Sequence, residues 1–352
     1  MYGSDRERGQ QLPIIAAHAL TKRFQRPLKA PGLAGALRHV VQPHYEEKLA
    51  LDAIDLTIEP GEMVGYVGPN GAGKSTTIKL LTGILIPSNG EVRIESLVPH
   101  RSRIAVARRI GVVFGQRTQL WWDLPVQESF RLLGDLYQVP AKAFAATLAE
   151  CIELLDLGPL LRTPARQLSL GQRMRCDLAA ALLHAPPILF LDEPTIGLDV
   201  AVKARIRVFI KTIQRERGVT MLLTSHDLGD IADLCQRLIM IDKGKIMFDG
   251  PLDTIITRFG RDRVVELLLI EPTPDAAARA LEALPELPAE AVRQVEPHRI
   301  AIAFDAAQIT AGAIAGRLFP LLPVADLRIE EPSIETIIGR LYTGALSFDG
   351  GQ

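Results

Sequence analysis

An eight-residue run, GPNGAGKS from Gly68 to Ser75, restricts this chain more than any other feature. It fits G-x-x-x-x-G-K-[ST] and joins an apolar run, Met63 to Val67, to a helical pattern over about 74–84. A strand that turns through glycines straight into a helix belongs to a parallel α/β sheet. The segment Gly68, Pro69, Asn70, Gly71, Ala72 and Gly73 can turn backbone N–H groups toward phosphate oxygens. Lys74 can reach β and γ phosphates, and Ser75, followed by Thr76, can offer a hydroxyl to Mg²⁺ at the helix N-terminus.

The surrounding pattern agrees. From about 14 to 250, short apolar runs alternate with longer helical ones, the order of an α/β domain. Ile54, Leu56 and Ile58 alternate with Asp55, Thr57 and Glu59, a half-buried strand that Pro60-Gly61 turns. Further strands are predicted at 63–67, 91–95, 110–114, 188–192, 219–224 and 237–241, and helices near 74–84, 126–138, 141–155, 170–184, 200–217 and 227–235. Helices with no strand between them fill about 120–170, which predicts a helical subdomain. After Gly250 the texture turns to Ala, Pro and Glu, and a βαββαβ order with a last helix predicts a small α+β, ferredoxin-like domain. The expected division is 1–250 and 251–352.

Composition narrows the function. The chain has 352 residues, 47% of them hydrophobic and 23% charged, which suits about two packed domains and excludes disorder. Forty basic against forty-one acidic residues give a net charge of -1, so no nucleic acid partner is expected. Cys151, Cys176 and Cys235 lie far apart with no CxxC and read as reduced core residues of a cytosolic protein. No apolar stretch reaches the roughly 18 residues of a membrane span, and MYGSDRERGQ lacks an apolar leader, so any membrane link is expected to run through a partner.

Two further segments carry chemistry. ILFLDEPT reads as a buried strand delivering Asp192 and Glu193 to its C-terminal edge, where open α/β sheets bind ligands. Asp192 fits a carboxylate on the Mg²⁺ side of a nucleotide, and Glu193 can polarise an attacking water as general base. In QLSLGQRMR, Ser169 followed by Gln172 forms a capping box that opens a helix with an anion site at its N-terminus.

LSLGQ resembles the signature motif of ATP-binding cassette (ABC) ATPases, and the order of motifs from about 14 to 250 is similar to that family. The resemblance implies further roles. Gln116, in VVFGQ, matches the glutamine that reaches Mg²⁺ and the attacking water, and His226, in LLTSHD, matches the switch histidine at the γ phosphate. Asp199, in TIGLD, matches the loop that crosses the dimer interface, and it also reads as a helix N-cap. For the aromatic residue that stacks on adenine, Phe24 is the first choice and Tyr45 the second. Leu170 stands where many members have glycine, while Gly171, whose backbone would approach phosphate, is present.

By the same resemblance, two cassettes, identical or not, pair head to tail around ATP. Lys74, Ser75 and Asp192 would hold the triphosphate and Mg²⁺, with Ser169, Gly171 and Gln172 presented to the nucleotide of the paired cassette. The chain then looks like the ATP-binding and hydrolysing subunit of an exporter with separate transmembrane permease subunits, peripheral at the cytoplasmic face of the inner membrane. The alternative is a soluble ABC ATPase acting on ribosomes or DNA. Those relatives carry two cassettes or a long inserted coiled coil, and neither pattern is seen here. An N-terminal insertion over about 25–48 reads as a solvated loop with a helical turn or two, or as a surface contact for membrane or partner. Trp121 and Trp122 read either as a permease contact or as core. The tail, with no His/Cys cluster, is expected to serve dimerisation or regulation.

Overall fold

The computed structural model describes residues 12–27, 45–115 and 117–343. The chain divides into two compact units, one up to Gly250 and one from Pro251.

In the first unit the strands are β1 (Ile15–Pro27), β2 (Tyr45–Ile58), β3 (Met63–Val67), β4 (Asn89–Ile94), β5 (Ile110–Phe114), β6 (Ile188–Asp192), β7 (Thr220–Thr224), β8 (Arg237–Asp242) and β9 (Lys245–Pro251). The helices are α1 (Lys74–Leu81), α2 (Arg103–Ala107), α3 (Val126–Leu136), α4 (Ala141–Leu155), α5 (Leu170–Leu182), α6 (Val200–Arg217) and α7 (Leu228–Leu234). Strands β2-β1-β4 form an antiparallel sheet, and β5-β6-β7-β3-β8-β9 a second one in which the neighbours from β5 to β8 run parallel. Parallel strands need cover on both faces, and the sequence supplies it: every residue of β7 is buried, as are four of the five in β3 and β6. Helix α1 packs against β1, β2 and β4 of one sheet and β6 of the other. Its Ile78, Leu80 and Leu81 join a core with Leu20, Leu56, Tyr66 and Phe190.

This topology places four strand ends side by side. Because β3 lies between β7 and β8, the loop after β3 emerges beside the carboxyl ends of β7, β6 and β5. Helices α3 and α4, with short 3₁₀ turns at Gly158–Leu160 and Ala165–Gln167, occupy the stretch between β5 and α5.

The N-terminal insertion begins later than expected. Paired strands run on to Pro27↔Tyr45, so 25–27 and 45–48 are β-structure, and 28–44 lie outside the described residues. Cross-strand partners there are polar at Gln25↔Glu47 and Arg26↔Glu46 and mixed at Phe24↔Lys48, with Arg23 3.6 Å from Glu47. Pairing of that kind leaves no alternation of apolar residues to read.

The second unit contains α8 (Leu252–Phe259), β10 (Asp262–Leu269), α9 (Ala276–Ala283), β11 (Val292–Glu296), β12 (Arg299–Asp305), α10 (Ala311–Leu318), β13 (Val324–Glu330) and α11 (Ile334–Tyr342). Its antiparallel sheet has the order β11-β12-β10-β13, a ferredoxin-like arrangement. Val265, Leu267, Leu269, Ile300, Ile302 and Phe304 alternate onto one face and share a core with Ala276, Ala280, Ile314 and Leu318 of the two crossover helices. Leu267 is fully buried. Leu267→Ala is expected to cost about 2–5 kcal/mol, read as a fall in the urea midpoint of that unit's unfolding. A change below about 1 kcal/mol would mean that the site collapses around the smaller side chain.

Candidate active site

The loop between β3 and α1 is held by close backbone approach. A Cβ on Gly68 would lie 2.3 Å from the Ile241 carbonyl oxygen, and one on Gly73 would lie 2.6 Å from Leu51 Cδ2 and 2.9 Å from the Ala50 oxygen. Gly71 and Gly73 also adopt φ of +82° and +119°, left-handed values that a side chain resists. Lys74 opens α1 only 7% exposed, and its Nζ donates to the carbonyl oxygens of Gly68 at 2.5 Å and Pro69 at 3.2 Å. Burial lowers its pKa, opposed by the charges of Glu193 and Asp192. The loop therefore holds a cation at a helix N-terminus, the electrostatics of a phosphate site.

The carboxylates arrive from the neighbouring strand. Asp192 ends β6, and the Thr224 hydroxyl at the end of β7 donates to Asp192 Oδ1 at 2.6 Å while accepting from the Glu193 N–H at 3.1 Å. One hydroxyl thus joins both acidic residues. Glu193 takes φ +58°, a left-handed conformation uncommon outside glycine, and such conformations gather at functional sites. His226 Nε2 lies 2.6 Å from Glu193 Oε1, so the imidazole donates to the carboxylate. Gly115, past the end of β5, donates its N–H to the Asp192 carbonyl at 2.8 Å.

A cleft of about 820 Å³ opens over these groups, lined by Asn70, Gly71, Gly73, Lys74, Ser75, Thr76 and Glu193 together with Phe24, Glu46, Glu47, Lys48, Leu49 and Ala50. Of the two aromatic candidates, Phe24 lines this cleft, and Lys22 Nζ sits 5.2 Å from its ring centroid. Tyr45 pairs with Pro27 along the backbone at the start of β2, and its side chain lies outside the described residues. A neighbouring hollow of about 320 Å³ is lined by Ser75, Lys79, Asp192, Glu193, Gly115 and Arg117, among others. Ser75 and Glu193 border both spaces. A hydroxyl and a carboxylate facing one hollow are hard oxygen donors and fit Mg²⁺, which takes few protein ligands and completes its shell with phosphate and water.

Ser169, Gly171, Gln172 and Asp199 are not part of either lining. Ser169 and Gln172 do form the capping box: the Gln172 N–H donates to Ser169 Oγ at 3.2 Å, and the Ser169 N–H to Gln172 Oε1 at 2.9 Å. Asp199 caps α6 by accepting from the Val202 N–H at 2.9 Å. A Cβ on Gly171 would approach Val202 Cγ1 to 3.2 Å, so these two helix starts pack together. Gln116 lies outside the described residues. Trp121 and Trp122 are 41% and 52% exposed. The three cysteines are free and buried, with thiols pushed up to about 12 by burial.

Three polar residues were not visible in the sequence. Thr224 ended a strand in LLTSHD without separate signal, Lys22 sat in an arm with no readable period, and Asp177 looked like one more residue of α5. Asp177 is 4% exposed and accepts from Thr118 Oγ1 at 2.9 Å and the Gln119 N–H at 2.8 Å. Burial pushes its pKa up to about 6 against those bonds and the Arg173 charge.

The sequence profile of the ABC transporter family matches residues 51–196. The daunorubicin resistance ATP-binding protein DrrA3 of Streptomyces coeruleorubidus is 35% identical over 240 residues, 68% of this chain and 75% of that protein. This chain belongs to the ABC transporter ATP-binding family. The ABC transporter ATP-binding protein NatA of Bacillus subtilis is 32% identical over 206 residues, 58% of this chain and 83% of that one. An ATP-binding cassette solved as a dimer in a post-hydrolysis state with ADP and Pi superposes with a TM-score of 0.57 at 26% identity, over 68% of this chain and 98% of that chain. As a member of the family, the chain binds ATP and is an ATPase.

Two outcomes follow from this geometry. Thr224→Val removes a hydrogen bond to a charged group, worth about 1.5–3 kcal/mol, so ATP turnover is expected to fall roughly 10- to 100-fold in a phosphate-release assay. A rate within about twofold of the parent would show that the hydroxyl does not set the carboxylates. Asp177, whose pKa is raised on folding, stabilises the folded chain less as pH climbs from about 4 through about 6, and its effect is constant above that. The Asp177→Asn variant cannot ionise. Its melting temperature relative to wild type is therefore expected to rise over that window and then level off, and parallel curves would contradict the shift.

Proposed function

We propose that this chain drives an exporter: it binds MgATP, pairs head to tail with a second cassette, and passes closure of the pair to separate transmembrane permease subunits. One observation carries the reading. The phosphate loop and Glu193 line one cleft, Asp192 borders the hollow beside it with Ser75 and Glu193, and His226 is bonded to Glu193, while Ser169, Gly171, Gln172 and Asp199 line neither space. A site divided in this way is completed by a second chain. Relatives named for daunorubicin resistance and, in Paraburkholderia xenovorans, for Nod factor export support the direction of transport.

In this reading Lys74 leaves the Gly68 and Pro69 carbonyls for the β and γ phosphates, and the loop amides hold the remaining oxygens. Ser75 and Asp192 would hold Mg²⁺, joined by Gln116 if it acts as the resemblance implies, and the ion would supply positive charge against the phosphate oxygens. Glu193, oriented by Thr224 behind it and His226 beside it, takes a proton from the attacking water. His226 is close enough to Glu193 to sense the γ phosphate through the same bond. Phe24 stacks on adenine. Preorganised groups of this kind do most of the work in phosphoryl transfer.

Trp121 and Trp122 offer a partly exposed aromatic surface for the permease. No described helix is long and apolar enough to cross a membrane, so attachment at the cytoplasmic face through that partner is the arrangement proposed. The second unit is assigned to dimerisation or regulation.

Glu193→Gln is expected to keep ATP affinity, lose at least about 100-fold in turnover, and accumulate as a closed dimer on size exclusion with MgATP. Purified from native cells with ATP present, the same variant should bring down polytopic membrane proteins. Parental turnover would remove the general-base role, and recovery with ribosomal or DNA-repair proteins alone would overturn the exporter reading.

A further inference from the structure

The segment that leaves the cleft after β5 is fastened to α5 at successive points. Asp177 receives the Thr118 hydroxyl and the Gln119 N–H on the same oxygen, Oδ1. One turn earlier on the same helix, the Arg173 guanidinium lies over the Trp122 ring, 5.3 Å from its centroid. Backbone bonds continue the seam: the Arg166 N–H donates to the Trp122 carbonyl at 3.0 Å and the Ala165 N–H to that of Leu124 at 3.1 Å. At the other end, Gln119 Nε2 donates to the Val112 carbonyl of β5 at 2.8 Å. Residues 118–122 therefore bridge the sheet edge, where Gly115 and Arg117 border the hollow beside Asp192, and the helix that Ser169 opens.

A carboxyl buried this far in a helix costs free energy on its own, and a fold retains it where it organises other groups. We infer that Asp177 is a positioning residue that clamps the segment after β5 to the LSLGQ helix, so that a shift at the nucleotide edge is delivered to Ser169 and Gly171 as movement of one body. Without the clamp, the Thr118 hydroxyl and Gln119 N–H lose their shared acceptor, and the segment can move without carrying the helix. The consequence for catalysis rests on the head-to-tail reading. The clamp itself does not.

The chain's two tryptophans, Trp121 and Trp122, both lie in the clamped segment, so tryptophan fluorescence, excited selectively over the five tyrosines, reports on it alone. In the full-length protein without nucleotide, Asp177→Ala is expected to raise acrylamide quenching of that fluorescence. Its KM for ATP should stay near the parent value while kcat falls roughly tenfold, and in the Glu193→Gln background it should no longer form the ATP-bound dimer. Asp177→Asn keeps Oδ1 as acceptor for both donors and is expected to restore quenching and kcat. Thr118→Val, which removes one donor and leaves the carboxylate in place, should fall between parent and Asp177→Ala, and decides the matter if the alanine variant does not fold. Unchanged quenching and kcat in both Asp177→Ala and Thr118→Val would overturn the clamp, as would an asparagine variant as impaired as the alanine one. If Glu193→Gln alone fails to dimerise with ATP, the paired-cassette reading fails, and the quenching comparison still tests the clamp.

Discussion

The parallel ladder from β6 through β7 to β3 is the constraint on which the rest depends. Asp192 pairs with Thr224 across β6 and β7, and Val64 with Leu222 across β7 and β3. A slip of one residue in either pairing would send the alternating side chains to the opposite face. The Thr224 hydroxyl would then miss Asp192, and the loop after Val67 would emerge one residue out of step with Glu193. Burial on both faces fixes the register, because each misplaced residue in these strands would put an apolar side chain where none fits. The antiparallel sheet β2-β1-β4 and α1 belong to the same requirement, since they supply the cover that a parallel ladder needs.

Polar groups enter this apolar frame only where something holds them. Lys74 is nearly buried, yet its ammonium has two carbonyl acceptors and two carboxylates nearby. Asp230 is 1% exposed and meets Thr195 Oγ1 at 2.6 Å and Arg207 at 2.9 Å. Removing one member of such a set leaves the other unsatisfied, which costs more than the bond itself contributes. The edge of the sheet is thereby made rigid by polar contacts, at the place where the apolar core ends.

What the sequence disclosed depended on how local the determinant was. The strands β3, β5 and β6 and helices α4 and α6 were readable to the residue, because each is an apolar run or a helical period with a glycine, proline or acidic boundary. Strand β1 was not: Ala19 at φ +45° and the register shifts between Ala17, Leu20 and Lys22 break its alternation. Strand β9 alternates between exposed and half-buried residues and offers little contrast, and α2 is only five residues long. The same division holds in the site. The glycine loop, the Asp192-Glu193 pair and the capping box are written within a few residues. Thr224 is 32 residues from Asp192, and Asp177 is 59 from Thr118, so their partners exist only after folding.

The tethers share a direction that the cleft by itself does not explain. His226 contacts Glu193, and the next residue, Asp227, accepts from Lys203 Nζ at 2.6 Å, one turn into the helix that Asp199 caps. Thr195, two residues past Glu193, reaches the same helix through Asp230 and Arg207. The segment after β5 reaches α5 through Asp177. The loops after β5, β6 and β7 are thus each bound to a helix whose first turn carries a motif outside the cleft's lining. Stability alone would be served by tethers to any neighbouring element. Attachment of all three loops to α5 or α6, the two helices that begin at Ser169 and Asp199, is the arrangement expected of an enzyme whose phosphate chemistry must be felt at its edge by another chain.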